Sequence, residues 1–346
     1  MSRRSGESAK RSVSAIIPVY NGAPYVGAAL ASVLVQDEPP DEVIVIDDGS
    51  SDDSVEIIQA TAGDALAIPV KITSQANQGQ SAARNEAARV ASGELLAFLD
   101  QDDVWYPKHL GRLTKPFSSR PDLGWTYSDF DEIDAGGRTV TRGFISTHVL
   151  DHPKRTLSQF LMADMMMLPS ASVISAKAFH DVGGFDPGLR GYEDDDLFIR
   201  LFRGGWRSEY VRQSLTKFRV HPTSSSAGAR FRESRIRFLD KLTRDIPNDQ
   251  RLNRFYIRDL VFPRMFQSTL AEYATAMRSG DYEQAREIAA AVAEIDRRSP
   301  GGRKRQAELY LLARPELFRR VLATHDRLPR RLRPHINEAL RLKPRR

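Results

Sequence analysis

The amino-acid sequence predicts an α/β fold, a mostly parallel sheet covered by helices on both faces and followed by a C-terminal helical extension. Three observations carry this expectation. From Val13 onward, short apolar runs alternate with amphipathic stretches of helix length. The runs are continuously apolar over roughly four to eight residues, as in strands buried on both faces. From about Phe231 the pattern becomes helical throughout, polar outside and rich in arginine.

The elements follow in order. Residues 1–12, MSRRSGESAKRS, are polar and basic and read as a disordered leader. VSAIIPV is the first strand and APYVGAALASVL its helix; EVIVI and SVEIIQATA, then VKITS and SAARNEAARVA, repeat the unit. LLAFL is the next strand and runs directly into DQDDVW. Residues 120–175 are less regular, with DEIDAGGR as a turn between the strands TYSDF and TVTRGF. SASVIS then gives a strand, followed by a short helix, a loop holding Gly183, Gly184, Gly188 and Gly191, a helix from near Glu193, and the strand TKFRV. A boundary near residue 228 divides 13–228 from a basic helical region, 229–346, which is broken at SPGG and RLPRRLRP.

Bulk properties narrow the function. The chain has 346 residues and no cysteine, which excludes disulfides, thiolate metal sites and a cysteine nucleophile, and fits a reducing compartment. Val13 to Tyr20 is too short for a secretory core, and no run of roughly 18 apolar residues is present, so neither export nor a spanning helix is expected and the reading is cytoplasmic. The net charge of +6 resides in the tail: residues 301–346 hold 14 Lys and Arg against 4 Asp and Glu, leaving 37 against 41 elsewhere. A nucleic-acid substrate is therefore disfavoured.

Loops at the carboxyl ends of parallel strands are where ligands collect in such sheets, and YNG, DDGSSDDS and DQDD all fall there. Asp100, Asp102 and Asp103 follow an apolar strand with no Lys or Arg before Lys108. If the strand continued, Asp100 and Asp102 would point the same way. An all-oxygen pair suits a hard divalent cation, Mg²⁺ or Mn²⁺; an acidic turn without ligand is the competing reading. Asp48, at the tip of the second strand, can accept from a base N–H or a ribose hydroxyl, while Ser51 or Asp52 caps the next helix.

Glu193, Asp194, Asp195 and Asp196 open a helix. The helix dipole favours one or two acids in a first turn by about 0.3–1 kcal/mol each. Four exceed that, and their mutual repulsion raises a carboxyl pKa, as a general base requires. Asp196 with Arg200 and Leu197 with Leu201 have the spacing of structural pairs, which leaves Glu193 and Asp194 for chemistry. His221, in FRVHPTSSS, sits on a loop, either as a structural histidine or as a third metal ligand. Trp105 reads either as a core aromatic or as a sugar-stacking ring, and Met165, Met166 and Met167 as core or groove lining.

With these residues in view, the chain resembles the family 2 glycosyltransferases of the GT-A fold, a Rossmann-like sheet flanked by helices. SAIIPVYNG, EVIVIDDGSSDDS, NQGQSAARNEAARVASGELLAFLDQDDVW, GGFDPGLRGYEDDDLFIRL and FRVHPTSSS carry the likeness, in the family's order, from Val13 to about Ser226. The resemblance implies an inverting, metal-dependent transfer from a nucleotide diphosphate sugar, a UDP-sugar first, to a hydroxyl of a glycan or lipid-linked acceptor in cell-surface polysaccharide or glycoconjugate synthesis. Pro18, Tyr20 and Asp48 would frame base and ribose, and Arg84 would lie near the uracil. Asp100 and Asp102 would be the ends of the Asp-x-Asp motif, Asp100 on the donor and Asp102 on Mn²⁺ or Mg²⁺ together with Asp103 and His221. Asp194 would be the base and Glu193 would position it or the acceptor.

Two other readings compete. One is a non-catalytic module that holds a nucleotide sugar or glycan; the other is a sugar nucleotidyltransferase, disfavoured because SAIIPVYNGAPYVG has no lysine or arginine. No G-x-G-x-x-G follows any predicted strand, which disfavours a dinucleotide dehydrogenase. The basic tail reads equally as a peripheral contact with an anionic bilayer and as a solvated helical extension.

Overall fold

A computed structural model of the chain describes residues 10–63, 68–148, 151–221, 228–298, 312–317 and 319. It divides into two compact units, Met1–Phe160 with Asp164–Ser224, and Leu161–Ala163 with Ser225–Arg346.

In the first unit the strands are β1 (Val13–Val19), β2 (Glu42–Asp47), β3 (Val70–Ser74), β4 (Leu95–Phe98), β5 (Val104–Trp105), β6 (Leu123–Ile133), β7 (Thr139–Thr141), β8 (Ser172–Ser175) and β9 (Arg207–Arg219). They form one mixed sheet in the order β3-β2-β1-β4-β8-β6-β9-β5, with β7 as a hairpin on β6. The first four strands are parallel; β8 runs antiparallel to both β4 and β6, and β5 antiparallel to β9. The helices are α1 (Val26–Leu34), α2 (Ser54–Ala62), α3 (Gln80–Val90), α4 (His109–Thr114), α5 (Phe144–His148), α6 (Leu157–Leu161), α7 (Ala176–Asp181) and α8 (Glu193–Arg203).

The parallel half is what the apolar runs predict. β1 and β2 are buried along their whole length, and α1, between them, buries Val26, Ala29, Leu30 and Val33. Pro18 is buried in β1 two residues beyond the last β1–β4 match, Ile16 with Phe98. Its missing N–H therefore removes no bond to β4, and the chain after Phe98 is free to leave the sheet. The other half is mixed, with β6 and β9 paired in parallel, and departs from the expected strands. β6 extends through Ile133, so the turn is only Asp134–Arg138, closed by Asp134 Oδ1 accepting from Arg138 N at 2.9 Å. β9 begins at Arg207, well before TKFRV, because its first residues lie half-exposed and carry Glu, Arg and Gln instead of an apolar run. Trp105 is a core aromatic, 3% exposed, stacked on His109 at 4.2 Å and donating from Nε1 to Ser170 O at 2.7 Å.

The second unit contains α9 (Ala229–Asp245), α10 (Phe262–Ser279), preceded by a π-helical turn, Ile257–Val261, and α11 (Tyr282–Arg297). Tyr273, Ala276, Ala285, Ile288 and Val292 are buried together between the last two helices. The buried Arg235 of α9 donates from Nη1 to Thr269 Oγ1 at 2.7 Å and pairs with Glu272. Most of the leader and of the basic stretch 301–346 lies outside the described residues, and with it the expected bilayer contact. Among the described residues no helix is long and apolar enough to cross a membrane.

Glu42 fastens the start of β2. Its carboxylate accepts from Ser14 Oγ, Ser92 N and Ser92 Oγ, each at 2.7 Å, and from Lys71 Nζ at 2.6 Å. Burial alone would raise its pKa, but the Lys71, Ser14 and Ser92 bonds outweigh it and hold the group down to about 2. A depressed carboxylate stabilises the fold above its unfolded value and loses that contribution as pH falls from there toward 2. Glu42→Gln should lower unfolding stability at pH 7 by about 1–3 kcal/mol. In urea titrations its deficit against wild type should shrink as pH drops through that window; a deficit independent of pH would contradict the assignment.

Candidate active site

The acids after β4 lie in a turn, not in a continuing strand. Leu99 N still bonds Ile16 O at 2.8 Å, but Asp103 N closes back on Asp100 O at 3.1 Å. Strand alternation does not apply there, and each acid takes its own direction. Asp100 Oδ1 accepts from Arg84 Nη2 at 2.5 Å and Gln80 Nε2 at 2.8 Å, while its N–H donates to Ser170 Oγ at 3.0 Å. Asp102 Oδ2 meets His221 Nε2 at 2.8 Å. Asp103 is 1% exposed, and its Oδ1 accepts from Arg219 N at 2.9 Å. Through that oxygen Asp103, expected among the metal-facing acids, fastens the end of β9 to the turn, where the chain reverses before it re-enters the sheet as β5.

Gln101, between the acids, grips the first loop. Tyr20 N donates to its Oε1 at 2.8 Å, and its Nε2 donates to Tyr20 O at 3.1 Å, leaving the Tyr20 ring half-exposed. Gly22 keeps this clasp possible, since a Cβ there would lie 2.5 Å from Gln101 Oε1. Asp48 is 2% exposed and anchors the loop before α3. It accepts from Gln75 Nε2 at 2.7 Å, Gln78 N at 2.9 Å and Gly79 N at 2.7 Å. Three of about four lone-pair directions of the carboxylate are thereby used. Asp52 ties the loop after β1 to α2, accepting from Ala23 N at 3.0 Å and Ser54 N at 3.1 Å.

The second acidic cluster reaches the first through Arg84. Gly191 (φ 137°) and Tyr192 in the left-handed region (φ 64°) turn the chain into α8, a conformation a non-glycine residue holds at a cost. That turn sets Glu193 Oε1 3.5 Å from Arg84 Nη1. Arg84 is 2% exposed, with its guanidinium carbon 5.0 Å from the Phe185 ring centroid. One buried guanidinium thus lies against an acid of each cluster. The reading that puts Arg84 near a base is not what this contact set describes: Nη1 and Nη2 are turned to Glu193 and Asp100. Farther along α8, Arg200 Nε donates to Asp196 Oδ2 at 2.8 Å, as the spacing suggests.

The clusters are electrostatically loaded. Asp102 is raised above the usual carboxylate range by burial and by the charge of Asp100, against the opposing bond from His221. Asp103 is raised well above it by burial and by Asp102 and Asp100. Asp194 is likewise pushed well up, first by burial and then by Asp195 and Glu193, although Asp195 N donates to its Oδ1 at 2.8 Å. Arg84 is held charged despite burial by Asp100 and Glu193. Gln80, Gln101, Ser170 and Arg219 are the site residues that sequence reasoning did not single out. Gln101, enclosed by the acids it accompanies, was the one with a local signal.

Residues 14–181 match the family model for glycosyl transferase family 2. An uncharacterized glycosyltransferase of Escherichia coli (strain K12), YibD, is 30% identical over 274 residues, 75% of this chain and 76% of that protein. The chain belongs to that family. An uncharacterized glycosyltransferase of Nostoc is 40% identical over 131 residues, 37% of this chain; the chain spans 39% of that relative's length and 35% of one from Rickettsia conorii. Among solved structures, Staphylococcus aureus TarS 1-349 in complex with UDP-GlcNAc superposes with a TM-score of 0.58 at 18% identity, covering 90% of this chain and 92% of that one. The mannosyltransferase PcManGT from Pyrobaculum calidifontis, in complex with GDP-Man and Mn²⁺, gives 0.56 at 16% identity, covering 96% and 86%. The fold is GT-A, as the resemblance implies.

A carboxyl whose folded pKa is raised costs stability as pH climbs above its unfolded value, because the folded state resists the ionisation that the unfolded chain undergoes freely. Asp194→Asn should therefore raise the melting temperature at pH 7 by about 2–4 °C for each kcal/mol relieved, and the gain should fade below about pH 4. A variant less stable than wild type at pH 7 would contradict the strain assigned to Asp194.

Proposed function

We propose that the chain is an inverting glycosyltransferase that moves a sugar from a nucleotide diphosphate donor, a UDP-sugar first, to a hydroxyl of a glycan or lipid-linked acceptor in cell-surface polysaccharide or glycoconjugate synthesis. The observation that carries this reading is the Arg84 bridge: it brings an acid suited to the donor end, Asp100, and the acid beside the base, Glu193, to opposite sides of one guanidinium.

In this reading Asp194 is the general base. Its raised pKa suits a group that must take a proton from a hydroxyl near neutral pH. The acceptor oxygen attacks the anomeric carbon as its proton passes to Asp194, the bond from that carbon to the diphosphate oxygen breaks, and the nucleoside diphosphate departs. In-line attack from the face opposite the leaving group inverts the anomeric centre. Glu193, fixed by Arg84, positions the base, and Arg84 itself acts on the donor only through Asp100. The Tyr20 ring and the Asp48-anchored loop frame the nucleoside.

Among the described residues no group of three or more His, Asp and Glu side chains forms a ready-made metal cage. The donor set nonetheless fits a hard cation: Asp102 Oδ2 and His221 Nε2 converge to 2.8 Å, and the neighbouring Asp100 adds to the negative charge felt by Asp102. A Mg²⁺ or Mn²⁺ ion keeps several waters and completes its shell from a diphosphate, so two protein donors suffice. Asp102 and His221 would hold it, and bound there it neutralises the charge that develops on the leaving diphosphate. PcManGT was solved with Mn²⁺, which supports this choice.

A panel of nucleotide sugars assayed for nucleoside diphosphate release with Mn²⁺ tests the proposal. Asp194→Asn should abolish transfer, a loss of about 100-fold or more, while leaving UDP affinity near wild type by calorimetry. Transfer at the wild-type rate would remove Asp194 from the role of base. Binding without release for every donor and acceptor tried would favour a non-catalytic nucleotide-sugar module.

A further inference from the structure

Arg219 is a cation that the reaction scheme leaves unused, and it lies behind the Asp102–His221 pair. It is 7% exposed. Its Nε donates to Asp102 O at 2.7 Å, and its Nη1 donates to Asp134 O and Ala135 O, each at 3.1 Å, in the β6–β7 turn. Its backbone N–H holds Asp103 Oδ1. The guanidinium carbon sits 4.7 Å from the Tyr25 ring centroid, and the same ring lies 5.2 Å from the His221 ring.

These contacts fix both members of the pair from behind. Asp102 is held by its own carbonyl, so the acidic turn cannot swing away from β9. His221 lies two residues beyond Arg219 on the same strand end and packs on the ring that Arg219 covers. A planar fork can serve carbonyls on two separate segments while stacking on an aromatic face; a lysine ammonium is a point donor and satisfies them poorly.

We propose that Arg219, with Tyr25 as its platform, is a positioning residue that sets the separation of Asp102 and His221 and thereby the divalent-cation affinity of the site. The inference rests on the metal reading above and extends it to residues that do not touch the ion. Residues that orient metal ligands from behind are commonly worth about 10- to 100-fold in metal affinity.

The test uses the full chain and two variants, Arg219→Lys and Tyr25→Leu. Mn²⁺ affinity is measured by electron paramagnetic resonance titration in the presence of UDP, UDP affinity by calorimetry in EDTA, and stability by thermal melting. The expected result is a loss of about 10-fold in Mn²⁺ affinity in each variant, with metal-free UDP affinity unchanged. Mn²⁺ affinity equal to wild type in a folded variant overturns the proposal, as does a parallel loss of metal-free UDP binding, which marks a merely structural role. If Arg219→Lys does not fold, Tyr25→Leu decides. If wild type itself binds no Mn²⁺, the metal reading fails and the role of Arg219 falls with it, an outcome distinct from wild type binding tightly and both variants matching it.

Discussion

The site depends on one buried cation. Arg84, enclosed in the interior from α3, is the group against which Asp100 and Glu193 are set. Taking a guanidinium out of water costs several kcal/mol unless carboxylates and hydrogen bonds offset it, and removing one partner leaves a buried charge uncompensated. The acids and the arginine therefore require one another. This explains why two clusters far apart in the chain occupy one place in the fold. It also accounts for the loop chemistry around them: the glycines before Glu193 and the left-handed Tyr192 turn α8 so that its first residue meets α3.

Asp102 and Asp194 are less well compensated. Asp102 keeps only a histidine, and Asp194 is pressed between Asp195 and Glu193. Burial and neighbouring like charge hold both carboxyls above their usual range, at Asp102 and at Asp194. In the proposed reaction the first would favour a cation arriving with a diphosphate, and the second a proton arriving from a hydroxyl.

The sequence made the parallel half of the sheet readable because burial on both faces forces continuous apolar runs: VSAIIPV and EVIVI became β1 and β2 almost residue for residue. It concealed the mixed half. β5 has two residues, too few for a periodic signal, and the start of β9 is half-exposed and polar. The acidic clusters stood out by composition, but their directions did not. Treating DQDD as strand aligned Asp100 with Asp102, whereas the turn sends the three acids to Arg84, His221 and the backbone of Arg219. Arg219 was invisible for a different reason: its side chain meets main-chain carbonyls, and any residue type supplies those.

The most direct test of the bridge is the unfolding free energy of Arg84→Met alone and combined with Asp100→Asn and Glu193→Gln. The account predicts a loss of about 3–5 kcal/mol for the single change, much of it recovered in the triple variant, where no charge is left stranded by the missing guanidinium. A triple variant whose loss equals the sum of the three separate losses would show that these groups do not share one interaction, and the site as described would not hold.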